Sequence, residues 1–173
     1  MSGARDGTAI LWDVETDSPT GKLRGHKGHV TSVHVCDNGA DNLFLSGAQD
    51  GCVRVWDSRS ADCIKSLPLH TNPVGTGAVV SICSPDGSIS SSGHSIFVTA
   101  GADRAVNVVD GRMDFRAIHR FEDYDDFIYS LAVHGPYVLT GTGNGKILVH
   151  NWLTGEWQRP VCVWSLRNIY CMT

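Results

Sequence analysis

The 173-residue sequence predicts an all-β protein, an incomplete β-propeller of about three to four blades, each a four-stranded antiparallel sheet. Two observations predict this fold. A twelve-residue pattern recurs four times, and the intervals between its copies contain short apolar strands separated by turn residues. The copies occupy residues 2–13, 46–57, 99–110 and 140–151.

Each copy begins with a small hydroxyl residue, passes through a tight turn containing Asp or Asn, and ends in an apolar strand. The strands close at Asp13, Asp57, Asp110 and Asn151, which follow one another after 44, 53 and 41 residues. The outer two intervals match the blade period of roughly 40–45 residues. The surplus in the middle interval falls on residues 84–95, where serine and glycine predict a surface loop.

The interval around the second copy shows the predicted order of strands most clearly. Apolar runs separated by turn residues predict four strands, with turns at 36–39 and 47–51. These strands cover residues 30–35, 43–45, 52–56 and 63–67. The same order recurs at residues 79–83, 96–100, 105–109, 118–121, 128–133, 137–140 and 146–150.

These strands divide the chain into successive blades. The predicted segments are a partial first blade over 1–24, a second over 25–67, a third over 68–121 with the Ser-rich insertion at 84–95, a fourth over 122–153, and an irregular tail or partial strand over 154–173. Propellers close with about 4–8 blades. We therefore expect an incomplete ring, from a fragment, a truncated isoform or a partial gene model.

Three dipeptides carry a more specific resemblance. Trp12-Asp13, Trp56-Asp57 and Gly25-His26 resemble the signature pairs of the WD-repeat (tryptophan–aspartate repeat) β-propeller family. The resemblance extends over residues 2–153 and implies WD-type blades. It also implies a protein-interaction scaffold without catalytic activity, acting within a multiprotein complex.

The resemblance further implies a hydrogen-bonded chain of side chains inside a blade. A buried indole N–H needs an acceptor, and Ser, His and Asp can relay one to the next. The residues assigned to this structural role are His26, Ser46, Asp50, Trp56, His70, Thr99 and Asp103. The third blade has Val109 in place of Trp, and the fourth has Asn144 and His150 with no preceding Gly-His, so the pattern is incomplete in both.

Two successive blades end their third strand with Asp-x-Arg. Asp57 with Arg59, and Asp110 with Arg112, resemble the WDxR motif of WD-repeat substrate receptors in cullin-four ubiquitin ligases. There the Arg docks on the ligase adaptor, a role that suits its rigid fork of donors. The alternative is structural, with each Arg pairing with its own Asp.

Other residues suggest chemistry only superficially. His26, Ser46 and Asp50 have the composition of a catalytic triad, but their positions match the blade network. The glycines of 141–146 precede a strand, whereas a phosphate loop precedes a helix. His26 and His29 lack the further ligands of a metal site. We predict no catalytic residue, metal or cofactor.

The acidic run at 122–126 has two interpretations. It is either a solvated loop between blades or a surface for a basic peptide or a cation. It lacks the spaced oxygen ligands of a calcium loop. The serines at 88–95 could be phosphorylated or could simply form a flexible loop.

Composition limits the remaining classes of function. The net charge of −4 is mild, and a nucleic-acid footprint needs a clustered basic surface. Without a secretory signal, the cysteines are interpreted as reduced thiols of a cytoplasmic or nuclear protein. The predicted partners are other proteins or peptides, including a ubiquitin-ligase adaptor, and not a membrane or nucleic acid. The alternatives are a ubiquitin-ligase substrate receptor, an RNA-processing or ribosome-assembly scaffold, and a propeller enzyme.

Overall fold

A computed structural model describes residues 1–37, 42–71, 77–85 and 96–163. Parts of the predicted turn at 36–39, of the Ser-rich insertion and of the tail lie outside these residues. Within the described part of the chain, no helix has the length and hydropathy to cross a membrane.

The strands form four antiparallel sheets that follow one another along the chain. The first blade contains β1 (Ser2–Gly3), β2 (Thr8–Asp13) and β3 (Ser18–Arg24). The second contains β4 (Val30–Asp37), β5 (Asn42–Ala48), β6 (Cys52–Asp57) and β7 (Cys63–Pro68). The third contains β8 (Val79–Cys83), β9 (Ile96–Gly101), β10 (Val106–Asp110) and β11 (Arg116–Phe121). The fourth contains β12 (Ile128–His134), β13 (Tyr137–Thr142), β14 (Lys146–Asn151) and β15 (Trp157–Val163).

The architecture confirms the predicted fold class, an all-β incomplete propeller. In each of the last three blades, every strand pairs with its neighbour in sequence. The fourth sheet extends beyond residue 153, because Trp157–Val163 pairs with β14 as its outer strand. A 3-10 turn at Gly111–Met113 joins β10 to β11.

Neighbouring blades pack face to face through three apolar clusters, each shared by two blades. Side chains alternate between the two faces of a strand, so one blade serves both neighbours. The first cluster, between blades one and two, contains Ala9, Leu11, Leu23 and Trp56. The second, between blades two and three, includes Leu45, Val53, Val55, Val79, Ile82, Phe97 and Val109. The third, between blades three and four, includes Val98, Ala100, Val106, Val108, Ile128, Leu131, Val138 and Leu148.

Glycine in β1 and in β5 lets the next blade approach closely. A Cβ atom placed on Gly3 would lie 2.5 Å from Cγ1 of Val30, the first residue of β4. A Cβ atom on Gly47 would lie 2.5 Å from Cγ1 of Val79, the first residue of β8. The Ser-Gly dipeptide of the repeat therefore combines a hydrogen-bonding hydroxyl with a contact that admits no side chain.

Candidate functional site

The second blade contains a continuous chain of hydrogen bonds. The Trp56 indole N–H donates to Ser46 Oγ at 2.8 Å, and Ser46 Oγ lies 2.7 Å from His26 Nε2. On the far side of the imidazole, His26 Nδ1 lies 3.2 Å from both carboxylate oxygens of Asp50. Because Ser46 accepts the indole proton, it can donate its own to His26, whose Nδ1–H then donates to Asp50.

Burial and neighbouring groups shift the pKa values of the histidine and the aspartate of this chain. Burial lowers the pKa of His26, although the neighbouring Asp50 carboxylate acts to raise it. Burial acts to raise the pKa of Asp50, but the backbone amides of Lys27 and Cys52, together with His26, bring that pKa below its usual value. The hydrogen bond from the Lys27 amide measures 2.8 Å and attaches the loop before β4 to the β5–β6 turn, whereas the bond from the Cys52 amide, at 3.1 Å, lies within the β5–β6 hairpin.

The third blade contains the corresponding set without a tryptophan. His70 Nε2 lies 2.9 Å from Thr99 Oγ1, and His70 Nδ1 lies 2.8 Å from Asp103 Oδ1. His70 and Thr99 are fully buried. The structure therefore brings together the three residues assigned to this blade, in the same order as in the second blade.

Two residues that the sequence did not single out extend this third-blade set. Asn107 donates through Nδ2 to the Leu69 carbonyl oxygen at 3.2 Å. The Arg120 guanidinium donates to the same oxygen at 2.9 Å, to Asn107 Oδ1 at 3.2 Å and to Asp103 Oδ2 at 3.3 Å. Burial acts to raise the pKa of Asp103, but the hydrogen bond from His70 and the charge of Arg120 leave it below its usual value.

The fourth blade has a network of different composition. Thr140 Oγ1 donates to the Tyr124 hydroxyl at 3.2 Å, and that hydroxyl lies 3.2 Å from His150 Nδ1. All three residues are buried. Tyr124 stands four residues before the first strand of its blade, as His26 does, and His150 occupies the position of Trp56. Tyr124 was not predicted because the family pattern has histidine at this position, although the four-residue spacing was available as a signal.

One role is shared by the residues that end β2, β6, β10 and β14, one strand from each blade. Each side-chain oxygen accepts the backbone N–H two residues later, which fixes the following turn. The four bonds run from Glu15 to Asp13 at 2.9 Å, from Arg59 to Asp57 at 2.8 Å, from Arg112 to Asp110 at 2.9 Å and from Leu153 to Asn151 at 2.9 Å.

The second Asp-x-Arg pair makes an additional ionic contact. Arg112 Nε lies 3.1 Å from each oxygen of Asp110, and Arg112 Nη2 lies 2.6 Å from Oδ2. The Asp110 side chain is 3% exposed, whereas that of Arg112 is 53% exposed. Arg59 is also exposed, on the turn after β6. The forked ion pair favours the structural interpretation of Arg112, while its exposed surface remains accessible to a partner.

Two aromatic side chains stand out on the fourth blade. We define the rim patch as Asp126, Phe127, Tyr129 and Gly143. Phe127 is 54% exposed and Tyr129 is 71% exposed. A Cβ atom on Gly143 would lie 2.8 Å from Asp126 Oδ2 and 2.9 Å from Tyr129 Cε2, so the glycine permits both to pack on the turn. The sequence did not reveal this patch, because a register shift between Ile128 and Ser130 interrupts the expected alternation.

Comparison with known proteins agrees with the repeat and the fold. Residues 17–57 match the family described as WD domain, G-beta repeat. The chain belongs to the WD-repeat family. It is 25% identical over 154 residues to WD repeat-containing protein 55 of Arabidopsis thaliana, and the aligned region covers 88% of this chain and 40% of that protein.

Further relatives place the WD-repeat chain among much longer proteins. It is 30% identical over 118 residues to p21-activated protein kinase-interacting protein 1-like of Gallus gallus, covering 66% of this chain and 28% of that protein. The crystal structure of the computationally designed Ika8 protein superposes with a TM-score of 0.73 at 26% identity, over 91% of this chain and 44% of Ika8. The chain therefore spans less than half the length of these similar proteins.

Proposed function

We propose that this WD-repeat chain is a non-catalytic scaffold that binds other proteins within a multiprotein complex, in the cytoplasm or nucleus. The observation that carries the proposal is the rim patch. Exposed aromatic rings on a rigid frame are the kind of surface that contributes most to protein interfaces. The similar protein of Gallus gallus, whose name states an interaction with a protein kinase, adds support.

Burial of the triad-like residues supports the non-catalytic part of the proposal. Ser46 is fully buried, and its oxygen is shared between the Trp56 indole and the His26 imidazole. A catalytic serine must bring its oxygen to a substrate. In this set, Ser46 and His26 are explained by their hydrogen bonds within the second blade, which link its strands and the loop before them.

The rim patch can be tested by replacing its two aromatic rings. We expect the double variant Phe127→Ser plus Tyr129→Ser to lose at least about tenfold in recovery of bound proteins, since one interface aromatic at a hot spot contributes about 2 kcal/mol or more and about 1.4 kcal/mol is tenfold in Kd. The measurement is quantitative affinity capture by the full chain, compared with wild type. The control replaces Val14 and Leu153, which are 88% and 54% exposed outside the patch. Equal recovery of bound proteins by the wild type, the double variant and the control would contradict the proposal.

A second candidate function is that of a substrate receptor for a cullin-RING ubiquitin ligase. The half-exposed Arg112, held by Asp110, is the observation that favours it, with Arg59 in the matching position one blade earlier. We expect Arg59→Ala plus Arg112→Ala to reduce recovery of the ligase adaptor in a pull-down. The control is Arg5→Ala plus Lys22→Ala, two exposed cations in the first blade. Unchanged recovery with the first pair would exclude this role for the motif.

A further inference from the structure

A cleft of about 320 Å³ opens on the fourth blade, beside the loop that precedes β12. Its walls combine carboxylates with apolar surface. Asp123 and Asp125 supply the carboxylates, and Leu148 and the half-exposed Trp157 supply the apolar surface. Lys146 also lines it, with its ammonium 3.0 Å from Asp125 Oδ2.

Within the acidic run at 122–126, Asp123 is the carboxylate that accepts no hydrogen bond from the described residues. Glu122 accepts from Arg120 at 2.6 Å, and Asp126 accepts from the backbone N–H of Phe127 at 2.8 Å. Asp125 is paired with Lys146. The Asp123 side chain is 67% exposed and lines the cleft, so its charge is available to a ligand.

A buried histidine points at Asp123 from the interior. His150 is fully buried, and within the described part of the chain its Nε2 has no hydrogen-bond partner. The nearest carboxylate oxygen is Asp123 Oδ2, at 3.9 Å. Because His150 Nδ1 can accept from the Tyr124 hydroxyl, Nε2 then carries the hydrogen and faces Asp123.

An unpaired buried N–H is unfavourable, and a short approach of Asp123 would relieve it. One carboxylate oxygen would then accept from His150, while the other remained directed to the cleft. This arrangement holds a carboxylate in a fixed orientation without neutralising its charge. A fixed carboxylate beside an exposed indole is suited to a planar cation.

We propose that the cleft binds an arginine side chain of a protein partner, with the guanidinium on Asp123 and against the Trp157 ring. Leu148 would contact the aliphatic stem, as long cationic side chains cover apolar surface along their length. The inference rests on the proposed function, since it supplies the chemistry of one contact made by a bound protein. His150 acts as a positioning residue through Asp123.

The test uses the full chain and a blocked peptide, acetyl-Gly-Arg-Gly-amide, with the lysine peptide beside it. The measurement is an NMR titration that follows the indole N–H signal of Trp157, assigned with Trp157→Phe. We expect a saturable shift with the arginine peptide and binding about tenfold weaker in Asp123→Asn. Asp17→Asn, which removes the same charge at an exposed turn, should bind like wild type. His150→Phe should weaken binding while leaving Asp123 in place.

Three results would overturn the inference: no saturable shift, equal weakening by Asp123→Asn and Asp17→Asn, or lysine binding as tightly as arginine. Equal weakening would indicate general attraction to an acidic protein. The experiment is independent of the rim patch. If the peptide does not bind but protein capture still depends on Phe127 and Tyr129, only the cleft is refuted. If the peptide binds but protein capture does not depend on these two residues, only the proposed function is refuted.

Discussion

At the scale of single residues, the constant member of each network is a small hydroxyl residue on the second strand of a blade. The hydroxyls of Ser46, Thr99 and Thr140 are all buried and hydrogen-bonded. Their partners change from blade to blade, from Trp with His, to His alone, to Tyr. Each buried hydroxyl therefore needs a partner with a matching hydrogen-bond donor or acceptor, and several residue types provide one.

Blades one and two offer a matched comparison of one indole hydrogen bond. Trp56 is 2% exposed and Trp12 is 46% exposed, and each indole donates to a serine, Ser46 or Ser2. We expect Trp56→Phe to lower the free energy of unfolding by at least about 1 kcal/mol, from the bond and the lost contacts. Trp12→Phe should cost less than half as much, since water replaces the lost partner. Urea denaturation of both variants measures this, and equal losses would contradict it.

Buried histidines predict that stability falls in mild acid. Burial lowers the pKa of His26, His34 and His150, while the unfolded chain restores the ordinary value near 6.5. Below about pH 6.5 the unfolded state binds more protons, so the free energy of unfolding decreases as the pH falls towards the lowered folded-state pKa values. Each group contributes a slope of at most about 1.4 kcal/mol per pH unit.

We expect His150→Gln to reduce this loss, because glutamine takes up no proton in that range. The measurement is urea denaturation at several values between about pH 7 and pH 5. His134→Gln, at an exposed position on the same blade, is the matched control for the substitution. A slope that His150→Gln leaves unchanged would show that protonation of this imidazole is not linked to unfolding.

At the scale of elements, the sequence predicted strands well and their irregularities poorly. Turn residues and alternating apolar positions located the hairpins, because both are local properties. The register shifts were not predictable, since a bulge depends on the partner strand. One such shift, after Ile128, exposes Tyr129. The Tyr124–His150 network was likewise not predicted, because its residue types depart from the Trp and His of the family pattern.

The close approach at Gly47 predicts a steric cost at the junction of blades two and three. A Cβ atom there would lie 2.5 Å from Val79 Cγ1 and 2.7 Å from Val79 Cβ. We expect Gly47→Ala to destabilise by about 1–3 kcal/mol, the usual cost of overpacking. Thermal or urea unfolding measures it. Gly135→Asn is the control, since a Cβ atom there would have no atom of the described residues within 4 Å and asparagine tolerates the φ of 55°.

A double-mutant cycle makes the Gly47 prediction specific to its contact. Val79→Ala removes the atom nearest to the added methyl group, so the two substitutions together should cost less than the sum of the single variants. Strict additivity would mean that Gly47→Ala acts through the backbone or the unfolded state and not through blade packing.

At the scale of the whole molecule, stability is shared between neighbouring blades. Each of the three apolar clusters joins two adjacent sheets, and no described cluster spans three. Such an arrangement resembles a one-dimensional array, in which each unit depends mainly on contacts with the next. The blades at either end of the series, one and four, belong to a single cluster each within the described residues, so we expect them to open more readily than blades two and three.

This dependence on neighbours can be tested by weakening one interface at a time. Ile128 is 1% exposed in the cluster between blades three and four, and Leu23 is 1% exposed in the cluster between blades one and two. Truncation of either to alanine should cost about 2–5 kcal/mol. We expect Ile128→Ala to accelerate hydrogen exchange chiefly in β12–β15, and Leu23→Ala chiefly in β1–β3, because local opening follows the weakened contact. If both variants accelerate exchange equally in all four sheets, the blades unfold as one cooperative unit and the coupling between them exceeds what nearest-neighbour packing provides.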